Sequence, residues 1–210
     1  LLAMAGELLV QAELDWSAVQ RVAVGIGPGR FTGLRVGIAT ARGLAQSLGA
    51  ELAGVSTLRA LALGASTAAR DEDRAGGTIA IVDARRGEAF AAAYPASSSE
   101  EIAFERPLAA GELEQIVEEI ERRGGPPGER WQAVGDGAVR FADELRAAGV
   151  TVVSAASRLH ELDAGALCEL GAHAAPAATL EAVLPDYRRA PDAAVARDRV
   201  RAAAIGGAGA

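Results

Sequence analysis

The sequence predicts an α/β chain built from two halves that repeat one order of elements. Three observations carry this expectation. Short apolar runs alternate with stretches of helical periodicity along the 210 residues. A polar, charged stretch from Ala68 to Gly77 divides the chain. On either side the order is alike: αβαβα before the stretch and βββαβαβα after it. In both halves the strand after the first helix enters a Gly-containing loop, GIGPG at 25–29 and GDGA at 135–138. Two copies of one unit, the first without its opening three strands, account for both orders. The chain begins with Leu1 inside a helical pattern, so the expectation is an N-terminally truncated first unit.

Each element has its own reason. Leu1, Leu2, Ala5, Leu8, Leu9 and Ala12 recur at helical spacing, which predicts an amphipathic helix over 1–12. Residues 21–26, holding the short apolar segment Val22 to Ile26, read as a buried strand. Leu34, Ile38, Ala41, Ala45 and Leu48 make one stripe of a helix over 33–48, which Gly49 ends. Glu51 to Val55 is a short strand and 57–67 a helix. Thr78–Asp83 and Glu88–Tyr94 read as strands of a hairpin around Ala84-Arg85-Arg86-Gly87. A third strand is expected near 100–104 and a helix over 109–123, stopped by GGPPG at 124–128. Strand 130–134, helix 138–148, strand 150–154 and helix 160–174 follow. The rest is loop-rich, with one helical turn around 192–200. The expected divisions are 1–68 and 78–175 for the units, 69–77 for the linker and 176–210 for a C-terminal tail.

Composition narrows the function. Half the chain is hydrophobic but only 4% aromatic, so alanine carries much of the apolar fraction and favours helices and close packing. A net charge of −7 argues against a dedicated nucleic-acid surface, which needs a basic patch to neutralise phosphates. Arg85–Arg86 and Arg188–Arg189 are local basic spots, read as solvated surface arginines. The one cysteine, Cys168, excludes an internal disulfide and falls on the apolar face of a helix pattern, so a buried, inert thiol is expected. No apolar run approaches the roughly 18–20 residues needed to cross a bilayer, and no signal peptide is seen.

The run from Arg21 to Leu48 is the most informative segment. Apolar strand, Gly-rich loop and helix are arranged as in sites that aim backbone N–H groups at an anion or a close partner. The standard phosphate loops are absent: the sequence holds no lysine for a Walker motif, and Gly25-x-Gly27-x-Gly29 misses the dinucleotide spacing. The alternative is a tight strand-to-helix turn in which Pro28 fixes φ, the glycines give freedom and Thr32 caps the helix.

Taken whole, GIGPGRFTGLRVGIATARGLA resembles the signature of the TsaB (YeaZ) family, accessory subunits in the synthesis of threonylcarbamoyladenosine at position 37 of tRNA. IVDARRGEAFAAAYP at 81–95, VGDGA at 134–138 and VLPDYRRAPDA at 183–193 agree in order, so the resemblance covers nearly the whole chain. It implies the actin-like (ASKHA) fold, a duplicated ribonuclease-H-like unit. It also implies a cytoplasmic, non-catalytic scaffold that dimerises with TsaD, or with a second copy when TsaD is absent. Such a scaffold helps to recruit the ATPase TsaE and meets tRNA only through the complex. Arg30 departs from the family, which usually has serine there.

On this reading Gly27, Pro28, Gly29, Phe31, Thr32, Gly33 and Arg35 shape the loop and the start of the helix, and Arg30 is counted with them at the partner interface. Gly33, Gly37 and Thr40–Ala41 form a strip of small residues, with Gly37 and Ala41 at or beside the partner contact. A second helix can approach closely over small side chains. Packing against the chain's own sheet is the competing use of the strip.

The alternatives are an actin-like small-molecule kinase or ATPase and a glycoprotease-type peptidase. In kinases of this fold a Gly-rich hairpin holds phosphates, but here two arginines occupy the corresponding turn. Asp83 is read as a turn residue paired with a neighbouring Arg, in preference to a magnesium ligand. His160 and His173 lie thirteen apart in no metal-binding pair and are read as capping or surface residues. Ser56 and Ser154 lie in no nucleophile elbow. No cofactor, metal or catalytic residue is assigned.

Overall fold

The computed structural model describes residues 1–68, 76–97 and 101–188. Eight helices and eight strands are named here in chain order: α1 Leu2–Gln11, β1 Arg21–Gly27, α2 Phe31–Leu48, β2 Glu51–Ser56, α3 Thr57–Ala68, β3 Gly77–Arg85, β4 Glu88–Pro95, β5 Ile102–Ala103, β6 Leu108–Ala109, α4 Ala110–Leu113, α5 Ile116–Arg122, β7 Trp131–Val134, α6 Asp136–Arg140, α7 Ala142–Ala147, β8 Thr151–Val152 and α8 Ala164–His173. The linker residues 69–75, Arg189 and the turn expected at 192–200 lie outside the described residues.

Two sheets form. In the first, β1 and β2 pair in parallel, Arg21 opposite Glu51 through Gly25 opposite Val55. In the second, β5, β4, β3, β7 and β8 lie side by side and β6 also pairs with β4. The β3–β4 pair is antiparallel, whereas β3–β7 and β7–β8 are parallel. Alternation along β3 and β4 sorts their side chains onto two faces. Ile79, Ile81, Ala89, Ala91 and Ala93 meet Leu113, Ile116, Ile120 and Leu145 of α4, α5 and α7 and Phe141 between α6 and α7. Ala80 and Ala92 face Leu58, Leu61, Ala62 and Ala65 of α3.

The two stretches of sequence thus share helices. α3, from the first half, lies on β3 and β4, while α8, from the second, lies on β1, β2 and α3. The two helices form a layer between the sheets. Gly171 makes the α8–β1 approach possible, because a Cβ there would stand 2.3 Å from the Ala23 methyl carbon. Arg21 ties off the end of α8, donating to the carbonyls of Gly171, Ala172 and Ala174 and pairing with Glu51. A cation at these exposed C-terminal carbonyls is favourable.

Several elements are shorter than their periodicity predicts. The helix expected over 109–123 is broken between Leu113 and Ile116, and that over 138–148 at Phe141, where φ is −107° and ψ 34°. The helix expected from 160 starts at Ala164 because Asp163 accepts hydrogen bonds from the amides of Gly165 and Ala166. Residues 158–160 form a separate 3-10 turn. The third strand shrinks to Ile102–Ala103.

α1 forms as expected but buries none of its residues, and Leu2, Met4, Leu8 and Val10 are exposed. Among the described residues β1 pairs only with β2, so its other edge carries unpaired backbone groups. The C-terminal residues are not a loose tail up to 188. Ala177, Leu180 and Val183 join the α2–β1–β2 core. The Ala177 amide donates to the Leu52 carbonyl and the Asp186 amide to that of Ile26. Arg42 of α2 donates to the carbonyls of Glu181 and Val183.

Candidate partner-binding site

The loop between β1 and α2 is shaped by one glycine more than the others. Gly27 has φ +120°, and a Cβ on it would stand 3.0 Å from the Asp186 carbonyl oxygen and 3.2 Å from Leu34 Cδ1. Only glycine fits both the angle and the space. The Gly27–Pro28 peptide is cis and Pro28 is buried. At Gly29 a Cβ would meet only ordinary contacts with Leu34. The chain carrying Asp186 fills the space against Gly27.

The helix cap differs from expectation. α2 starts at Phe31, its N-cap is Arg30 with φ −67° and ψ 124°, and no side chain caps it. Thr32 therefore sits inside the first turn, exposed, and is not the cap. The Arg30 carbonyl accepts from the Leu34 amide and its side chain is exposed.

Further along α2, Ile38, Ala41 and Ala45 are buried against Leu52 and Val183. This corrects the small-residue strip: Ala41 is 7% exposed and belongs to the core, where β2 and Val183 cover it, so it cannot face a partner. Gly33, Gly37 and Gly43 differ, because a Cβ at any of the three would meet nothing within 4 Å. Gly33, Val36 and Gly43 are exposed and Gly37 and Thr40 half-buried. The open small face therefore runs through Gly33, Gly37, Thr40 and Gly43. Gly43 was legible three residues after Thr40, had the strip been followed another turn.

Phe31 and Arg35 do not act alone. The Phe31 ring stacks on Tyr187 with centroids 5.2 Å apart and planes at 27°. Arg35 lies 4.0 Å over the Phe31 ring and its Nε donates to Tyr187 Oη at 2.8 Å. Tyr187 belongs to the stretch expected to be tail, so reading elements separately missed it.

The residues weighed for catalysis have structural partners. Asp83 accepts from the Arg85 amide and is ion-paired with Arg85 and Arg140 at 3.2 and 2.9 Å. Arg86 and Gly87 occupy the turn positions with positive φ, 56° and 78°, as a two-residue hairpin demands, and Arg85, φ 66°, ends β3 after the irregularity that follows Asp83. His160 Nδ1 lies 3.1 Å from the Gly135 amide nitrogen and Nε2 3.0 Å from the Ser154 carbonyl, which pins the GDG loop to the segment after β8. His173 Nδ1 lies 2.9 Å from the Glu169 carbonyl. Among the described residues no group of three or more His, Cys, Asp or Glu is placed to hold a metal ion, and no helix is long and apolar enough to cross a membrane.

Two expectations are overturned. Cys168 is exposed on α8 and not buried, because α8 turns Ala166 and Gly171 inward. Arg188 is no solvated surface residue: it pairs with Asp186 at 2.8 Å, its side chain 12% exposed, and donates to the Phe104 carbonyl.

Residues 1–135 match the sequence model of the family described as TsaD, tRNA N6-adenosine threonylcarbamoyltransferase. The tRNA threonylcarbamoyladenosine biosynthesis protein TsaB of Escherichia coli is 33% identical over 154 residues, 72% of this chain and 62% of that protein. The chain belongs to this family, among its TsaB (YeaZ) members. The TsaB of Haemophilus influenzae is 37% identical over 90 residues, 43% of this chain and 36% of that protein. The solved structure of YeaZ from Pseudomonas aeruginosa superposes with a TM-score of 0.66 at 26% identity, covering 88% of this chain and 82% of that one. The fold is thus mixed α/β of the YeaZ kind, consistent with the actin-like, duplicated ribonuclease-H-like architecture. The TsaB-family chain spans 62% or less of the curated relatives it matches.

Proposed function

We propose that this TsaB-family chain is a non-catalytic scaffold subunit in the synthesis of N6-threonylcarbamoyladenosine at position 37 of tRNA. It would pair with a TsaD-type transferase subunit through the outward face of α2, help to recruit the ATPase TsaE, and meet tRNA only through the complex in the cytoplasm. Without TsaD the same face would receive a second copy. The sequence divisions 1–68, 69–77, 78–175 and 176–210 become two units, a linker and a C-terminal segment, with further strands completing the first sheet on the bare edge of β1.

One observation carries the reading. Gly33, Gly37 and Gly43 face open space, although glycine inside a helix costs about 1 kcal/mol relative to alanine. Among the described residues no neighbour needs those positions free of side chains, and a closely approaching helix backbone would. Gly27, Pro28 and Gly29 set the angle at which this helix leaves β1, and Arg30, Phe31, Thr32 and Arg35 border its exposed start. Among the described residues Asp83 is ion-paired and both histidines are engaged by backbone groups, which favours the scaffold reading over a kinase or a peptidase.

The test is co-purification with TsaD from the same genome. A Gly37→Leu variant should keep its fold and lose TsaD from the eluate, because the bulky side chain stands where the partner backbone passes. Unchanged recovery of TsaD would overturn the assignment. Tight Mg-ATP binding by the isolated chain would point instead to a kinase or ATPase, and stoichiometric zinc or iron to a peptidase.

A further inference from the structure

The segment 177–188 runs along the first sheet and ends on the second. Ala177, Leu180 and Val183 pack into the α2–β1–β2 core, and Arg42 of α2 donates to the carbonyls of Glu181 and Val183. Beyond them the segment meets the point where β1 gives way to the loop before α2. There the Asp186 amide donates to the Ile26 carbonyl at 2.7 Å. The Asp186 carbonyl oxygen lies so close to Gly27 that a Cβ on that glycine would stand 3.0 Å from it.

The next contact leaves this sheet. Arg188 Nε donates to Asp186 Oδ2 at 2.8 Å, and its Nη1 donates to the Phe104 carbonyl at 3.0 Å. Phe104 follows β5, is 1% exposed and belongs to the core of the second sheet, with Arg123 4.7 Å over its ring. Hydrogen bonds in series, Ile26 to Asp186, Asp186 to Arg188 and Arg188 to Phe104, therefore tie the entry of the β1–α2 loop to a deeply buried residue of the other sheet. The Arg188 and Asp186 side chains are 12% and 32% exposed, so water competes weakly for these bonds. Holding a carboxylate with Nε and a carbonyl with Nη1 at one fixed angle takes the planar guanidinium fork, which lysine lacks.

We propose that Arg188 is a positioning residue for the partner face of α2. Through Asp186 it holds the Ile26–Gly27 junction against the second sheet, and so fixes the direction in which α2 leaves β1. This rests on the reading of α2 as the TsaD-binding helix.

Calorimetry of the full chain with TsaD from the same genome, and amide hydrogen exchange of the chain alone, test it. The variants are Arg188→Ala, Arg188→Lys, Asp186→Ala, the double variant Asp186→Ala/Arg188→Ala, and Gly37→Leu. Circular dichroism and thermal melting identify a temperature at which they are folded, and Arg188→Lys carries the test if Arg188→Ala does not fold. Arg188→Ala should speed exchange in peptides covering 26–34, leave those of β3 and β4 as in wild type, and raise Kd about three- to thirty-fold. Arg188→Lys should do the same, because the charge remains and the fork is lost. The double variant should weaken binding no more than either single one, since both break one series of bonds. Additive losses would overturn the route through Asp186. A raised Kd with unchanged exchange at 26–34 would mean that Arg188 meets TsaD directly, and exchange rising throughout the chain would mean a general structural role; either overturns the proposal. If Gly37→Leu abolishes binding and Arg188→Ala leaves Kd unchanged, the proposal is wrong and the α2 reading stands. If Gly37→Leu leaves Kd unchanged, both fail.

Discussion

Replacing the open-face glycines with alanine should move stability and partner binding in opposite directions. Gly37 and Gly43 lie inside α2 and a Cβ at either would meet nothing within 4 Å, so the added methyl incurs no steric penalty within the chain. Each substitution should stabilise by about 1 kcal/mol through helix propensity. The sites lie six residues apart, about 9 Å along the axis, far enough for the effects to add to about 2 kcal/mol. For a chain of this size that raises Tm by about 4–8 °C. The assay is thermal and urea unfolding of Gly37→Ala/Gly43→Ala at a concentration where the chain is monomeric, alongside its affinity for TsaD. A higher Tm with weaker binding is the expected pair of results. An unchanged or lower Tm would show that the glycines serve packing inside the chain and refute the reasoning. Higher Tm with unaltered affinity would show that the face is open but meets no partner.

Two further outcomes follow from the packing and the charges. Gly171→Ala should destabilise by about 2 kcal/mol or more, because the new methyl group must displace α8 from Ala23; urea unfolding should show a midpoint well below wild type. Glu112 is held at a pKa of about 2 by the Arg106 guanidinium and the Ala109 amide. Its folded value lies below the ordinary 4.5, so its stabilising contribution is full above about pH 4.5 and is lost as pH falls towards 2. Carboxyl titration by NMR should return Glu112 towards its ordinary value in Arg106→Ala.

The loop, the helix after it and the β3–β4 hairpin were legible because their signals are local. GIGPG followed by a 3.6-residue stripe names a strand, a turn and a helix, and ARRG between two apolar runs names a hairpin. Thr32 as the cap was a local inference that failed: Arg30 already provides the extended backbone and the accepting carbonyl, so the helix starts two residues earlier. Ala41 belonged to two patterns at once, an inward stripe and a small strip. Only the position of Val183 and β2 against it places Ala41 in the core.

By itself the sequence determined the order and type of the main elements, the absence of a lysine-based phosphate loop, and the family signature along residues 21–48. Tertiary structure alone decided that α3 and α8 lie between the sheets, that Gly33, Gly37 and Gly43 face open space, and that Tyr187 closes over Phe31 and Arg35. Periodicity reports which side of one element is apolar. It carries no record of which distant segment covers that side, because that choice is made by contacts between residues as far apart as Arg35 and Tyr187.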